Sequence, residues 1–209
     1  MRHLWWLKTA GICLFMWVFF ALYFEVLRHP PSPPRIMPLT ALDRAIPFMP
    51  SALLAYGSLW LYVGLPAGMM ATFKNLLHYG AWMASLCLTG LAIFYFYPTA
   101  IPPLTSGIDL ARHPGFALLQ GVDASGNAFP SLHVATAVFS AFWIDHVLRG
   151  VASPPGLRLA SIVWCLLIML STLAVKQHVL LDLLAGILLG ALFAVISLRW
   201  RWRWRWRWR

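Results

Sequence analysis

Acidic side chains are scarce in this chain, which has six Asp and Glu residues against sixteen Lys and Arg among its 209 residues. Charged residues of both signs make up only 11% of the chain, whereas soluble domains carry about 25%. Because 61% of the residues are apolar, the composition excludes an ordinary soluble domain and a disordered chain. It predicts an integral membrane protein whose positive charge sets its topology and contacts anionic lipids, with no nucleic-acid partner.

Cysteine is also rare, and its distribution excludes two kinds of site. The three cysteines, Cys13, Cys87 and Cys165, lie in three different apolar runs, and none belongs to a CxxC pair. This pattern excludes a disulfide framework and a cysteine-rich metal site. We expect all three to be small buried apolar side chains.

Long apolar runs are abundant, and they predict six membrane-spanning helices of about 20 residues each. We therefore expect an all-α, polytopic helical bundle that forms one domain over 1–198, with its catalytic core at about 90–198. A low-complexity Arg/Trp tail follows at 199–209. The predicted spans are 4–27, 51–70, 77–97, 131–148, 157–175 and 179–198.

Basic residues are distributed unevenly between the two sides that six spans define. Eleven of the sixteen Lys and Arg fall on the side that carries both termini, and six of these eleven belong to the tail. By the positive-inside rule, both termini are predicted to be cytoplasmic, and loops one, three and five face outward. We expect a bacterial inner (plasma) membrane, with the Arg/Trp tail lying among the inner-leaflet head groups.

Two polar motifs stand at the starts of predicted spans. The first is GNAFPSLH at 126–133, and the second is KQHVLLD at 176–182. His178 and Asp182 are four residues apart, so on a helix they share one face. The aspartate can accept a hydrogen bond from the imidazole Nδ1–H, which leaves Nε2 as a nucleophile or base. An unpaired carboxylate inside an apolar span costs several kcal/mol, so we expect Asp182 to be paired with His178.

The predicted topology places both motifs at the same outer face. Ser131 and the first backbone N–H groups of the fourth span form a helix N-terminus, which attracts phosphate. Lys176 adds a positive charge two residues before His178. Together with His133 and Asp182, these groups could hold and cleave a phosphoester.

Both motifs resemble those of a known family. PSLHVA at 130–135 resembles the PSGH motif of the type 2 phosphatidic acid phosphatase and haloperoxidase superfamily, and STLAVKQHVLLD at 171–182 resembles its SRxxxxxHxxxD motif. The residues PSLH and KQH in these two motifs are most similar to those of the branch that contains inositolphosphotransferase-like and sphingomyelin-synthase-like membrane proteins. The resemblance covers roughly 90–198, and the six-span layout agrees with it.

The resemblance implies a role for each matching residue. His178 would attack phosphorus and form a phosphohistidine, and Asp182 would orient His178. His133 would protonate the leaving oxygen and then activate the acceptor. Ser131 and the adjacent backbone amides would hold the phosphate oxygens, and Lys176 would neutralise their charge. Asn127 of the first motif is a further predicted substrate-binding residue.

The chain departs from the family pattern where arginines are expected. Thr172 occupies the position of the arginine in the SRxxxxxHxxxD motif, and Leu104 stands where the first family motif would supply another. Arg112 is the one arginine of the third loop, so we predict that it is a phosphate ligand. These departures leave a phosphodiester substrate or a headgroup transfer open.

The predicted function is that of a membrane phosphatase which hydrolyses a lipid or polyprenyl phosphate at the outer face, without a metal or another cofactor. Membrane lipids and the phosphorylated lipid substrate are the expected partners. The first alternative is a lipid headgroup phosphotransferase, and the second is an inactive or transport membrane protein. A transporter is less favoured, because the ionisable residues gather at span ends and not at mid-membrane. A haloperoxidase is disfavoured because the family arginines that would hold vanadate are missing.

Overall fold

A computed structural model describes residues 5–104, Gly115 and 126–203 of the chain. Within these residues the fold is an all-α bundle with one small pair of strands. The elements, in chain order, are α1 (Trp5–Arg28), β1 (Arg35–Ile36), α2 (Ala41–Ala45), a 3-10 turn (Pro50–Ala52), α3 (Leu53–Gly57), α4 (Leu59–Met69), α5 (Phe73–Phe96), β2 (Thr99–Ala100), α6 (Leu132–Gly150), α7 (Pro155–Ala174) and α8 (Leu180–Arg203).

Five helical segments among the described residues are long and apolar enough to cross a membrane, which confirms the predicted membrane helical bundle. They correspond to five of the six predicted spans, with ends that differ by a few residues: Trp6–Arg28, Pro50–Met69, Phe73–Phe96, Pro155–Ala174 and Leu180–Trp200. The predicted fourth span is α6, a helix of 19 residues. Its polar residues, such as Ser140 and Asp145, give it a lower hydropathy than the other five.

Helix α6 lies at the centre of the bundle, and two glycines of α8 allow the closest packing against it. A Cβ atom at Gly186 would come within 3.0 Å of the Ser131 carbonyl oxygen, and one at Gly190 would come equally close to that of Ala135. The two glycines are four residues apart, which is the spacing of small residues that lets membrane helices approach closely. A backbone hydrogen bond of 3.0 Å from Ser131 to the Asp182 carbonyl joins the N-terminal ends of the two helices.

The second predicted span is broken into two helices. Helix α3 ends at Gly57 and α4 begins at Leu59, with Ser58 between them. The Ser58 hydroxyl donates to the Ala55 carbonyl and accepts a hydrogen bond of 2.8 Å from the Trp164 indole of α7. This contact fixes α3 against α7, so α3 can reach the end of the bundle where α6 and α8 begin.

The proline-rich loop after α1 contains a short extended segment that pairs with the segment following α5. Strands β1 and β2 are parallel, with Arg35 opposite Thr99 and Ile36 opposite Ala100. Thr99 also accepts hydrogen bonds from Ala128 and Phe129. The segment where the first family motif would lie therefore supports the start of the GNAFPSLH motif.

The prediction that all three cysteines are buried is wrong for Cys13, and part of the predicted tail lies outside the described residues. Cys13 is exposed, unlike the buried Cys87 and Cys165, because α1 lies at the edge of the bundle and its spanning segment is not buried by other helices. Helix α8 continues to Arg203, beyond the predicted span end at Leu198. Residues 204–209 of the Arg/Trp tail lie outside the described residues.

Candidate active site

The histidine and aspartate of the second motif form a buried pair at the start of α8. Nδ1 of His178 lies 3.1 Å from Oδ2 of Asp182, and the carboxylate is completely buried. The predicted contact is made, although His178 lies just before the helix and not on it. Asp182 reaches back over the helix N-terminus, where Oδ2 also accepts a 3.0 Å hydrogen bond from the Val179 N–H. This geometry leaves Nε2 of His178 as the nitrogen that does not face the carboxylate.

The histidine of the first motif is held by a residue that the sequence analysis did not identify. Nε2 of His133 lies 3.1 Å from the Tyr56 carbonyl oxygen, which can only accept, so Nε2 carries the hydrogen. The imidazole also stacks on the Tyr56 ring, with 3.9 Å between centroids and 18° between planes. These contacts fix the ring orientation and leave Nδ1 as the nitrogen that can exchange a proton. Tyr56 lies in an apolar run without any motif, so no sequence signal points to it.

Both histidines line one cavity of about 570 Å³. Asn127 shares the polar end of this cavity with them, and its side chain donates a hydrogen bond of 3.3 Å to the Tyr23 carbonyl. Most of the remaining wall consists of apolar side chains from α1, α4 and α5. The structure therefore brings the two motifs together at the head of an apolar cavity.

The predicted phosphate ligands are placed in three different ways. Asn127 lines the cavity and adopts a left-handed backbone conformation with φ of 52°. Ser131 is fully buried, and its hydroxyl caps α6 by accepting a hydrogen bond of 3.2 Å from the Val134 N–H. Arg112 lies outside the described residues. A phosphate-binding role for each of these residues stays a prediction.

Lys176 is turned toward the loop after α1. Its Nζ donates to the backbone carbonyls of Asp43, at 2.9 Å, and Ile46, at the C-terminal end of α2. The residue is buried, and burial lowers the pKa of its ammonium, while the nearby Asp43 carboxylate acts in the opposite direction. Among the described residues, the cavity wall does not include Lys176. Its predicted neutralisation of phosphate would require the side chain to leave these carbonyls.

Asp43 is a second residue that the sequence analysis missed. Its Oδ1 accepts a 2.8 Å hydrogen bond from the Leu180 N–H, the first residue of α8, and its Oδ2 accepts from both the backbone and the hydroxyl of Thr40. Thr40 and Asp43 form a capping box at the start of α2, which the spacing in the sequence could have revealed. The contact with α8 connects the loop after α1 to the turn that carries His178.

Thr172 replaces the family arginine and has a structural role in the same turn. Its hydroxyl donates to the Met169 carbonyl, and its own carbonyl oxygen accepts from the N–H groups of Gln177 and His178. The side chain is fully buried and supplies no positive charge. Among residues 5–104 and 126–203, no group of three His, Cys, Asp or Glu side chains is arranged to hold a metal ion.

Comparison with known proteins agrees with this geometry at the level of the superfamily. No curated protein matches the chain. A family model described as the PAP2 superfamily matches residues 95–206, which include α6, α7, α8 and both motifs. The model specifies no branch within the superfamily. Because the match covers just over half of the chain and contains the paired His178 and Asp182, this chain belongs to the PAP2 superfamily.

Proposed function

We propose that the chain is a membrane phosphatase that hydrolyses a lipid or polyprenyl phosphate through a phosphohistidine. The superfamily supports phosphatase or phosphotransferase chemistry, and the long apolar helices support a membrane location. The observation that carries the finer proposal is the His178–Asp182 pair, which lies with His133 at the polar end of an apolar cavity. A phosphate group at that end would meet the histidines, while its apolar chain remained in the cavity.

The first step is a transfer of the phosphoryl group to His178. Nε2 attacks phosphorus because Nδ1–H donates to the Asp182 carboxylate, and that negative charge stabilises the imidazolium that develops. The bond between phosphorus and the lipid oxygen breaks at the same time. A proton on Nδ1 of His133 passes to the leaving oxygen, since Nε2 is already bonded to the Tyr56 carbonyl.

The second step returns the enzyme to its starting state. Nδ1 of His133, now without its proton, removes one from water, and the water oxygen attacks phosphorus. The bond between phosphorus and Nε2 of His178 breaks, inorganic phosphate leaves, and both histidines regain their initial protonation. No step needs a metal, so we expect activity to be unchanged by a chelator such as EDTA.

A headgroup phosphotransferase of the inositolphosphotransferase-like or sphingomyelin-synthase-like kind is the second candidate. The same two steps transfer a phosphoryl headgroup when an alcohol takes the place of water. The uncharged Thr172, at the position of the family arginine, favours this candidate, because a phosphodiester carries less charge than a monoester and needs less neutralisation.

The decisive experiment separates the roles of the two histidines with two kinds of substrate. Lipid alkoxides are basic leaving groups that need a proton, whereas nitrophenolate leaves without one. We expect His178→Ala to abolish turnover of both substrates. We expect His133→Ala to abolish lipid cleavage but to retain nitrophenol release and to accumulate phosphoenzyme. The matched control is His29→Ala, because His29 is exposed and pairs with Glu25 at the end of α1.

Each outcome of this experiment has a distinct meaning. Equal losses on both substrates in the His133 variant would show that this residue binds phosphate and does not donate a proton. Phosphoenzyme that persists in the His178 variant would reverse the two assignments. Adding alcohol acceptors distinguishes the two candidate functions, since only a phosphotransferase prefers the alcohol to water. From a phosphomonoester donor it then yields a new phosphomonoester in place of inorganic phosphate, and from a phosphodiester donor it yields a new phosphodiester in place of the free phosphorylated headgroup.

The proposed orientation places the active site outside and both termini in the cytoplasm. A single cysteine at Gln177, in a background without Cys13, Cys87 and Cys165, should react with a membrane-impermeant thiol reagent in intact cells. Labelling that requires permeabilised cells would show that the active site faces the cytoplasm.

A further inference from the structure

The cavity described above is much longer than a phosphate site requires. Its wall follows α1 from Tyr23, close to Asn127, to Leu7 near the other end of the helix. Sixteen residue steps along a helix correspond to about 24 Å. One leaflet contributes only about 15 Å of hydrocarbon to a bilayer core of about 30 Å. The cavity therefore extends past the depth at which a single leaflet would end.

Three glycines create space along this cavity. Gly11 of α1, Gly64 of α4 and Gly80 of α5 all line it, and a Cβ atom at each of them would meet no atom within 4 Å. Glycine in a helix is unfavourable by about 1 kcal/mol relative to alanine, so helix stability does not explain these three residues. Their common effect is to leave an open channel between the three helices.

The two ends of the cavity differ in chemistry. His133, His178 and Asn127 form one end. At the other end Lys8 lines the wall, and its Nζ donates a 2.8 Å hydrogen bond to the Gly68 carbonyl. Between them the lining is mostly apolar, and the cavity of about 570 Å³ is partly open along its length. A molecule that fits has one phosphorylated end and one long, thin apolar body.

We propose that this cavity binds the hydrocarbon chain of the substrate in extended form, and that its length selects chains that pass the bilayer midplane. The inference rests on the proposed function, because it gives the phosphorylated end to the two histidines. A long isoprenoid chain and a long saturated chain share the necessary chemistry. Gly64 and Gly11 would be the positions that set how far such a chain can enter.

Leucine substitutions at two depths of the cavity test this proposal. Gly64 lies in α4, eight residues beyond Tyr56 of α3. Because the backbone of Ser58 between the two helices stays in the right-handed helical region, these eight residues span about 12 Å. Gly11 lies near the far end of the cavity. Gly64→Leu should lower kcat/KM for octadecyl phosphate and for a long polyprenyl phosphate by about tenfold or more, because leucine fills space that the chain needs. Hexyl phosphate ends before this depth, so its turnover should stay within about twofold of the wild type. Gly11→Leu should lower turnover of octadecyl phosphate and of the long polyprenyl phosphate by less than Gly64→Leu does, because it obstructs the cavity at a greater depth, and it should leave turnover of hexyl phosphate unchanged.

The matched control is Gly156→Leu. Gly156 lies in the first turn of α7, a Cβ atom there also meets no atom within 4 Å, and the residue does not belong to the described cavity wall. This variant should keep the wild-type ratio between long and short substrates. Thermal unfolding in detergent shows whether each variant folds. If Gly64→Leu loses turnover of hexyl phosphate as strongly as that of octadecyl phosphate while remaining folded, the proposal is wrong.

A binding measurement separates this proposal from the proposed function. Octadecyl phosphate with a photoreactive group at its chain end should label α1 between Leu7 and Phe15, and the label should shift toward Tyr23 in Gly64→Leu. Labelling confined to the region of Tyr23 in the wild type would overturn the proposal. If the wild type cleaves no phosphoester but α1 is labelled as expected, the proposed function fails and the chain-binding cavity stands.

Discussion

Replacing Asp182 by asparagine removes one charge from the candidate active site and little else. Oδ2 accepts hydrogen bonds from the Val179 N–H and from His178, and an amide oxygen in the same place can accept both. Oδ1 has no hydrogen-bond partner among the described residues. An NH₂ group in its place therefore leaves the number of buried polar groups without a partner unchanged. We therefore expect Asp182→Asn to fold with nearly the wild-type thermal unfolding midpoint.

The rate should respond very differently from the stability. Without the carboxylate, the imidazolium that forms at His178 loses its counter-charge, and the tautomer with Nδ1–H is less favoured. Removal of comparable support in hydrolase triads costs about 10²–10⁴ in rate, or about 3–5 kcal/mol of transition-state stabilisation. Asp182→Ala should lose similar activity and also stability, by about 1–3 kcal/mol, because the buried Val179 N–H then has no acceptor.

The assay follows initial rates on a lipid phosphate and on a nitrophenyl phosphate, with the unfolding midpoint measured on the same preparations. Asp145→Asn is the control, since Asp145 sits near the other end of α6 in ion pairs with Arg149 and Arg158. A rate within about twofold of the wild type in Asp182→Asn would refute an electrostatic role for this carboxylate. An equal loss of rate in Asp145→Asn would show that the effect is not local.

Substitutions at three further positions test the contacts that hold the site in place. Gly190→Leu should prevent the close approach of α8 to the Ala135 carbonyl, and we expect loss of folded protein on size-exclusion chromatography; a folded monodisperse variant would contradict this packing. Asp43→Ala removes the acceptor of the Leu180 N–H, so the unfolding free energy should fall by about 1–3 kcal/mol and turnover should fall with it. Asp43→Asn should restore only part of both, because its one amide oxygen can accept from Leu180 while its NH₂ group cannot accept from the Thr40 N–H. Lys176→Met should lower the unfolding midpoint if the lysine only holds α2, whereas a raised KM for substrate would show that it also binds phosphate.

The spans were predictable because their signal is local. A run of about 20 apolar residues identifies a helix that faces lipid wherever it lies in the bundle. The pairing of His178 with Asp182 was equally accessible, since a spacing of four residues and the cost of a buried carboxylate both point to it. The meeting of the two motifs followed from the topology, because α6 and α8 begin at the same end.

The supports of the site were not predictable, because they depend on contacts between distant parts of the chain. His133 meets the Tyr56 carbonyl across 77 residues, and Leu180 meets Asp43 across 137. The direction of Lys176 also depends on where α2 lies, which no pattern near Lys176 encodes. In each case the residue type was visible in the sequence, but its partner was set by packing.

The burial of α6 affects whether the number of membrane-spanning helices is counted as odd or even. Helix α6 is joined to α7 by a short connection and runs alongside α8, so it traverses the bundle wherever those two apolar helices do. Counting α6 as a sixth crossing makes the number even, as the proposed orientation with both termini in the cytoplasm requires. A count based on hydropathy alone stops at five and separates the two ends. Helix α6 is buried by other helices and can therefore contain polar residues, which keep its hydropathy low. For the same reason it is the helix that a count of apolar segments omits, and its inclusion determines whether the number of crossings is odd or even.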